Sequence, residues 1–300
     1  MNNFYSNGKL LLTAEYLVLD GAEALAVPTK FGQQMRVNNA ESGSIFWKSF
    51  DEKKNVWFEA VFNIIGKPEI KETTNRETAE TLLSIFNEAQ KSNSGFLENA
   101  TGYRIETHID FPKDWGLGTS STLVNNIAQW AKADAFDLQQ KTFGGSGYDI
   151  ACAQHNNAII FSNKENTVKE ISLTWNFKDE LFFVYLNKKQ NSREAITHYK
   201  SLKDKTVFIE DINQLTRQFV KCTTLAGLES LIAIHENLLS SILKIPTVKS
   251  QLFSDYNGSI KSLGAWGGDF VIATRKEALE YFYKKGFRHI LSFEEMVLSS

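Results

Sequence analysis

The amino-acid sequence predicts an α+β protein built of two domains. Three observations carry this. Roughly the first sixty residues read as strands and a hairpin, a strand–glycine turn–helix unit spans residues 103–131, and beyond residue 181 helical patterns alternate with short strands. The pattern changes near Asn176 to Glu180, which gives domains of residues 1–178 and 179–300.

In chain order, residues 9–19 form an apolar run closed by Asp20-Gly21, a strand ending in a turn signal. Residues 24–28 follow, then a basic and polar strand at 33–37. Residues 45–50 and 56–62 alternate in hydrophobicity around the polar stretch 51–55, which makes a hairpin with a charged tip. Residues 74–91 are helical, with Thr78, Leu82, Leu83 and Phe86 on one side. Residues 103–111 alternate like a half-buried strand, Gly116-Leu117-Gly118 makes a turn, and Leu123, Val124, Ile127, Ala128 and Ala131 recur at helical spacing. A short strand is expected at 158–161 and a buried one at 181–186, where the run is continuously apolar. Helices are then expected at 192–202, 209–222, 225–243, 247–255 and 276–285, with strands near Ser262, at 270–273 and at 288–291.

Composition bounds the function. Over 300 residues, 42% are hydrophobic and 23% charged, an ordinary water-soluble balance with a core of useful size. The net charge of -2 gives no broad field for nucleic acid. Two cysteines, Cys152 and Cys222, are too few for a disulfide framework or a cysteine zinc site. Residues 10–19 are too short to span a bilayer and contain Glu15, and no basic region leads into a signal core. A cytoplasmic enzyme that works on a small molecule, without nucleic acid or membrane, is the expectation; a homodimer stays open as its assembly.

The stretch around which the chain is organised is Pro112-Lys113-Asp114-Trp115-Gly116-Leu117-Gly118-Thr119-Ser120-Ser121. Glycines let the backbone take left-handed angles and let a ligand come close. The free N–H groups and the positive dipole end of the following helix favour an anion. Thr119, Ser120 and Ser121 can cap the helix, or turn a hydroxyl toward a metal or a phosphate oxygen. There is no Walker lysine motif anywhere, and Ser121 occupies the third-glycine position of a dinucleotide fingerprint.

Two further segments join this loop: the opening Gly8-Lys9-Leu10-Leu11-Leu12-Thr13-Ala14-Glu15-Tyr16-Leu17-Val18-Leu19 and, near the end, Lys261-Ser262-Leu263-Gly264-Ala265-Trp266-Gly267-Gly268-Asp269. In this order and at these distances the three segments resemble the motifs of the GHMP kinases. The middle one is similar to P-x-x-x-G-L-G-S-S-A, and the first to the G-K-[LI]-…-G-E-[YH]-x-V-L opening of mevalonate and phosphomevalonate kinases. Gly145-Ser146-Gly147-Tyr148-Asp149-Ile150-Ala151 resembles S-G-x-D-x-A and, more closely, the G-S-G-F-D-V-A of phosphomevalonate kinase.

The resemblance implies a two-domain GHMP kinase fold, with an N-terminal domain like domain 2 of ribosomal protein S5 and a ferredoxin-like C-terminal domain. It implies ATP, with its phosphates at Gly116, Leu117, Gly118, Thr119, Ser120 and Ser121, and Mg2+ with Ser120 as a ligand. Asp149 would face the acceptor hydroxyl and Lys9 would be the family lysine. Glu15, Ser146, Gly147, Ser192, Arg193, Gly264 and Gly267 would line the acceptor side. The reaction would be phosphoryl transfer to a small alcohol or phosphorylated alcohol. A diphosphomevalonate decarboxylase-like lyase and a nucleotide-binding protein without turnover share the motifs.

The chain departs from the pattern in places. Thr119 replaces a serine, Ser121 an alanine, Ala14 a glycine, and Trp266 a small residue. The magnesium glutamate that precedes S-G-x-D has no counterpart in residues 135–143, so metal ligation would fall to Ser120 with Asp137 or water. Plainer roles compete at each position. Asp149 could be a helix N-cap, and Lys9 a surface lysine. Glu15 could be a buried ion-pair partner of an arginine. Trp266 and Cys152 read as packing residues. Lys188, Ser192 and Arg193 follow a buried strand and would suit a carboxylate or phosphate, or form a solvated loop.

Overall fold

The computed structural model describes the chain except residues 42, 67, 99–100, 166, 189–191, 265 and 299–300, together with the side chains of residues 192 and 193. Among the described residues the strands are β1 (Asn2–Leu11), β2 (Ala24–Asn39), β3 (Ser44–Phe50), β4 (Val56–Asn63), β5 (Glu69–Thr73), β6 (Tyr103–Ile109), β7 (Ala158–Ser162), β8 (Thr167–Ile171), β9 (Leu181–Tyr185), β10 (Ile260–Leu263), β11 (Phe270–Thr274) and β12 (Ile290–Ser292). The helices are α1 (Arg76–Ser92), α2 (Thr119–Ala131), α3 (Ala135–Thr142), α4 (Tyr148–Gln154), α5 (Ser192–Ser201), α6 (Ile209–Lys221), α7 (Leu225–Leu243), α8 (Val248–Leu252), α9 (Ala278–Lys284) and α10 (Phe293–Met296). The mixture of sheets and helices is the α+β class expected.

The chain divides into two compact units that interleave along the sequence. Unit 1 is Met1–Gly8, Phe31–Lys113 and Leu117–Gln154; unit 2 is Lys9–Lys30, Asp114–Gly116 and His155–Ser300.

In unit 1 the strand order is β5-β4-β3-β6-β2, with β3 parallel to β6 and the other pairs antiparallel. The 51–55 tip closes β3 and β4 as expected, because the Asp51 carboxylate accepts N–H groups from Lys53 and Asn55 and so replaces missing ladder bonds. Alternate residues of β2, β3, β4 and β6 turn inward: Met35 and Val37, Ile45 and Trp47, Phe58, Ala60 and Phe62, Ile105. Ala79, Leu82, Phe86 and Ala89 of α1, with Val124, Ile127 and Ala131 of α2, cover that face. The Asn75 side chain caps α1 by accepting from Thr78 N–H.

In unit 2 a four-stranded antiparallel sheet has the order β10-β11-β9-β12. All residues of β9, β10 and β11 are buried; β9 is a continuous apolar run, whereas β10 buries Lys261 and Ser262 as well. The first residues of β2, Ala24 to Ala26, pair with β7, and β7 pairs with β8.

Several expectations are corrected. The run 9–19 is not one strand: β1 begins at Asn2 and stops at Leu11, and a short 3-10 turn occupies Leu17–Asp20. The cause is backbone reversal, since Ala14 and Tyr16 both have φ near 64°, outside any strand. Residues 24–28 and 33–37 are one strand, running through Pro28. The short polar strands β5 and β8 and the helix α3 lie where no element was foreseen.

Candidate functional site

The organising loop is a strand–turn–helix unit in its local structure. Gly116 and Gly118 have φ of 70° and 95°, the left-handed region where glycine carries no steric cost. Gly118 is the N-cap position of α2, and no side chain caps that helix. The side chains that might cap are turned elsewhere. Ser121, 2% exposed, donates its hydroxyl to the Gly118 carbonyl, and Thr122 donates among Gly118 O, Thr119 O and Gln33 Oε1. Ser120 is exposed, whereas Leu117 is fully buried. The first-turn amides of α2 thus have no side-chain cap, and one exposed hydroxyl stands among them.

Within the same unit, α4 packs against α2. Its approach is a second left-handed stretch: Gly144, Gly145 and Gly147 have φ of 70°, 102° and 95°. Ser146 is buried, and Asp149 is half-buried in the first turn of α4. Because α4 starts at Tyr148, Asp149 lies inside the helix and not at its N-cap position. Asp137 of α3 is held by Lys141 at 2.7 Å, an i,i+4 pair on the helix surface.

Unit 2 carries the other motif residues. Lys9 is half-buried in β1, and its Nζ donates to the Gly116 carbonyl at 3.0 Å, so it is no free surface lysine. Gly264 and Gly267 have φ of 71° and 79° and flank the loop after β10. Gly267 N–H donates to Ser262 Oγ at 3.3 Å. Trp266 is 7% exposed; its backbone N–H goes to the Tyr16 hydroxyl at 2.8 Å and its indole N–H to the Pro246 carbonyl at 3.1 Å. It is a packing residue, as its sequence position suggests. The expected acceptor-side residues Ser192 and Arg193 begin α5, but their side chains lie outside the described residues.

Glu15 is 1% exposed, and what it meets was not foreseen. Lys261 Nζ of β10 stands 2.5 Å from Glu15 Oε1 and 3.5 Å from Glu236 Oε1. His235, fully buried on α7, places Nε2 3.3 Å from Glu15 Oε2 and 3.2 Å from the Ala14 N–H, which it accepts. Two carboxyls, one ammonium and one imidazole therefore share one buried space. Burial pushes both carboxyls up, Glu236 to about 7, against the pull of Lys261. Burial, and the Lys261 charge after it, holds His235 well below the ordinary histidine range. A neutral His235 can accept from Ala14, which fixes the proton on Nδ1. The cluster ties the strained Ala14 turn to α7 and β10, and Glu15 is its internal partner, facing a lysine where an arginine was one expectation. Sequence reading passed over this group; its one local signal was Glu236, with His235, at the centre of the otherwise largely apolar helix 225–243.

No protein-family profile matches the chain, and no curated protein matches it in sequence. Solved structures do. Methanococcus jannaschii mevalonate kinase superposes with a TM-score of 0.73 at 16% identity, over 100% of this chain and 98% of that one. Lactococcus lactis galactokinase, complexed with galactose, gives 0.72 at 13% identity over 99% and 93%. The chain has the GHMP kinase fold. Streptococcus pneumoniae phosphomevalonate kinase, solved with phosphomevalonate and AMPPNP, shares this GHMP kinase fold at a TM-score of 0.71 and 14% identity, over 97% and 100%. Among the described residues no helix is long and apolar enough to cross a membrane, and no three His, Cys, Asp or Glu side chains cluster to hold a metal.

Proposed function

We propose that this chain is an ATP-dependent kinase for a small alcohol or phosphorylated alcohol of the mevalonate or phosphomevalonate type. One observation supports this most: α2 begins behind a left-handed glycine with no side-chain cap, in a fold whose likenesses include kinases of small alcohols, sugars and phosphorylated alcohols. Uncapped amides at the start of a 13-residue helix suit a polyphosphate, which they meet with aligned dipoles.

In this reading the amides of residues 118–121 hold the phosphates, and exposed Ser120 is one magnesium ligand. Magnesium keeps most of its waters and needs only one or two protein oxygens, so a carboxylate trio is not required; when bound it neutralises charge on the phosphoryl oxygens. Asp137 is already engaged by Lys141, which favours water over it as the second ligand. Asp149 orients the acceptor hydroxyl and takes its proton as the oxygen bonds to the γ-phosphorus and ADP leaves. Lys9 offsets negative charge on the transferred group. Gly264 and Gly267 contribute left-handed turns that let backbone approach the acceptor.

A coupled assay over mevalonate, phosphomevalonate, homoserine and sugars tests the reading. Asp149→Asn should lower transfer by about 10²–10⁴ while leaving nucleotide affinity nearly intact; a full-speed variant would refute the role. Carbon dioxide released together with phosphate from diphosphomevalonate, run beside that panel, would identify the lyase instead. ATP binding with no acceptor turned over would identify a protein without turnover.

A further inference from the structure

We propose that Asp269 is a positioning residue for the phosphate loop, pinning Gly116 jointly with Lys9. The name of the loop rests on the kinase reading; the pinning does not. A β-carbon built on Gly116 would collide with Asp269 Oδ2 and stand 2.6 Å from its Cγ. The carboxylate thus fills the space where a side chain at position 116 would go. At the same residue the Lys9 ammonium takes the carbonyl at 3.0 Å. Glycine is required here twice over, by its φ of 70° and by the space Asp269 occupies.

Asp269 is itself rigidly held. It is 7% exposed immediately before β11, its N–H donates to the Lys188 carbonyl at 2.9 Å, and its carbonyl accepts from Leu186 N–H at 2.8 Å. Those bonds continue the β9–β11 ladder beyond its last registered pair, Phe270 with Tyr185. The two residues before Gly116 are seated by the same sheet. Trp115 packs edge-on against Phe270 at 5.3 Å between ring centres, and Asp114 accepts the Tyr185 hydroxyl at 2.9 Å. Three consecutive residues are therefore each held by the ends of β9 and β11, which is why Asp114–Gly116 groups with unit 2 while Leu117 does not. A carboxylate close to an anion loop repels phosphate. Its contribution here is mechanical: it sets where Gly116 sits and so where the next residues start.

Hydrogen exchange on the full chain tests this without nucleotide. Asp269→Ala should speed exchange across residues 114–121 by about tenfold, with the peptides of α7 unchanged. Asp269→Asn, which keeps the shape, should restore protection. In denaturant titrations Gly116→Ala should be severely destabilising in the parent chain and clearly less so in the Asp269→Ala background, because the colliding atoms are gone. In the transfer assay Asp269→Ala should raise the KM for ATP about tenfold with kcat largely kept. Unchanged loop exchange in Asp269→Ala, or additive effects in the cycle, would overturn the proposal. If Asp269→Ala does not fold, Asp269→Ser takes its place under the same criteria. A parent chain that binds no ATP would sink the kinase reading but leave the exchange and cycle results to decide Asp269.

Discussion

The N-terminus of α2 and the Glu15–His235–Glu236–Lys261 cluster use polar groups in opposite ways. At α2 the amides of the first turn have no side-chain cap and Ser120 is exposed, so polar capacity is left for something outside the chain. In the cluster four ionisable side chains, none more than 5% exposed, face one another. Even so, Glu15 Oε2, His235 Nδ1 and both Glu236 oxygens make no hydrogen bond among the described residues. The difference separates the two motifs: the middle one leaves the first-turn amides of its helix without a side-chain cap, whereas Glu15 of the first is buried among partners of its own chain.

Lys261→Met tests this contrast most severely. It strands two buried carboxyls without their only ammonium partner in the cluster, which should cost about 3–5 kcal/mol in urea unfolding. A loss below about 1 kcal/mol, the range of an exposed ion pair, would mean the cluster is not the sealed network its distances describe.

The pH dependence follows from Glu236. Its folded value, raised from 4.5 to about 7, means that the native state binds this proton more tightly than the unfolded chain does. That contribution is complete below about pH 4.5 and is lost as pH climbs through 7; at ~1.4 kcal/mol per unit it is roughly 3 kcal/mol at most. The raised Glu15 acts with the same sign and the lowered His235 with the reverse, losing stability as pH falls below 6.5, so the parent curve blends all three. Glu236→Gln removes only the first effect. Its melting temperature relative to the parent should therefore climb from pH 5 to pH 7.5; a flat difference would place the proton elsewhere.

Smaller effects belong to the loop. Gly118→Ala forces a β-carbon into φ 95° and should cost about 1–2 kcal/mol in thermal unfolding, besides weakening nucleotide binding by blocking close approach. Ser120→Ala should change stability by less than about 0.5 kcal/mol, as for an exposed position, yet weaken magnesium-dependent binding of an ATP analogue. Unchanged binding across a magnesium titration would remove Ser120 from the metal.

Legibility tracks how local the signal is. The unit β6–glycine turn–α2 was readable because alternation, two glycines and helical spacing all lie within thirty residues. The apolar continuity of residues 9–19 misled, because an alanine and a tyrosine adopt the left-handed angle that glycine would have announced. The polar edge strands β5 and β8 carry no inward face strong enough to alternate. Lys9 and Gly116 were each singled out, but nothing in their spacing says that one ammonium takes the other's carbonyl. Asp269 was quoted as part of a motif, and its contact with Gly116 lies 153 positions away in sequence (269 − 116).

By itself the sequence determined the strongly periodic elements, such as β6, α1, α2 and α7, and the two glycine turns, because periodicity and glycine's backbone freedom are properties of neighbouring residues. Only the tertiary structure decided which charges are used up inside and which polar groups stay open. Burial and pairing depend on segments far apart in the chain: Lys261 reaches Glu15 across 246 positions, and Lys9 reaches Gly116 across 107.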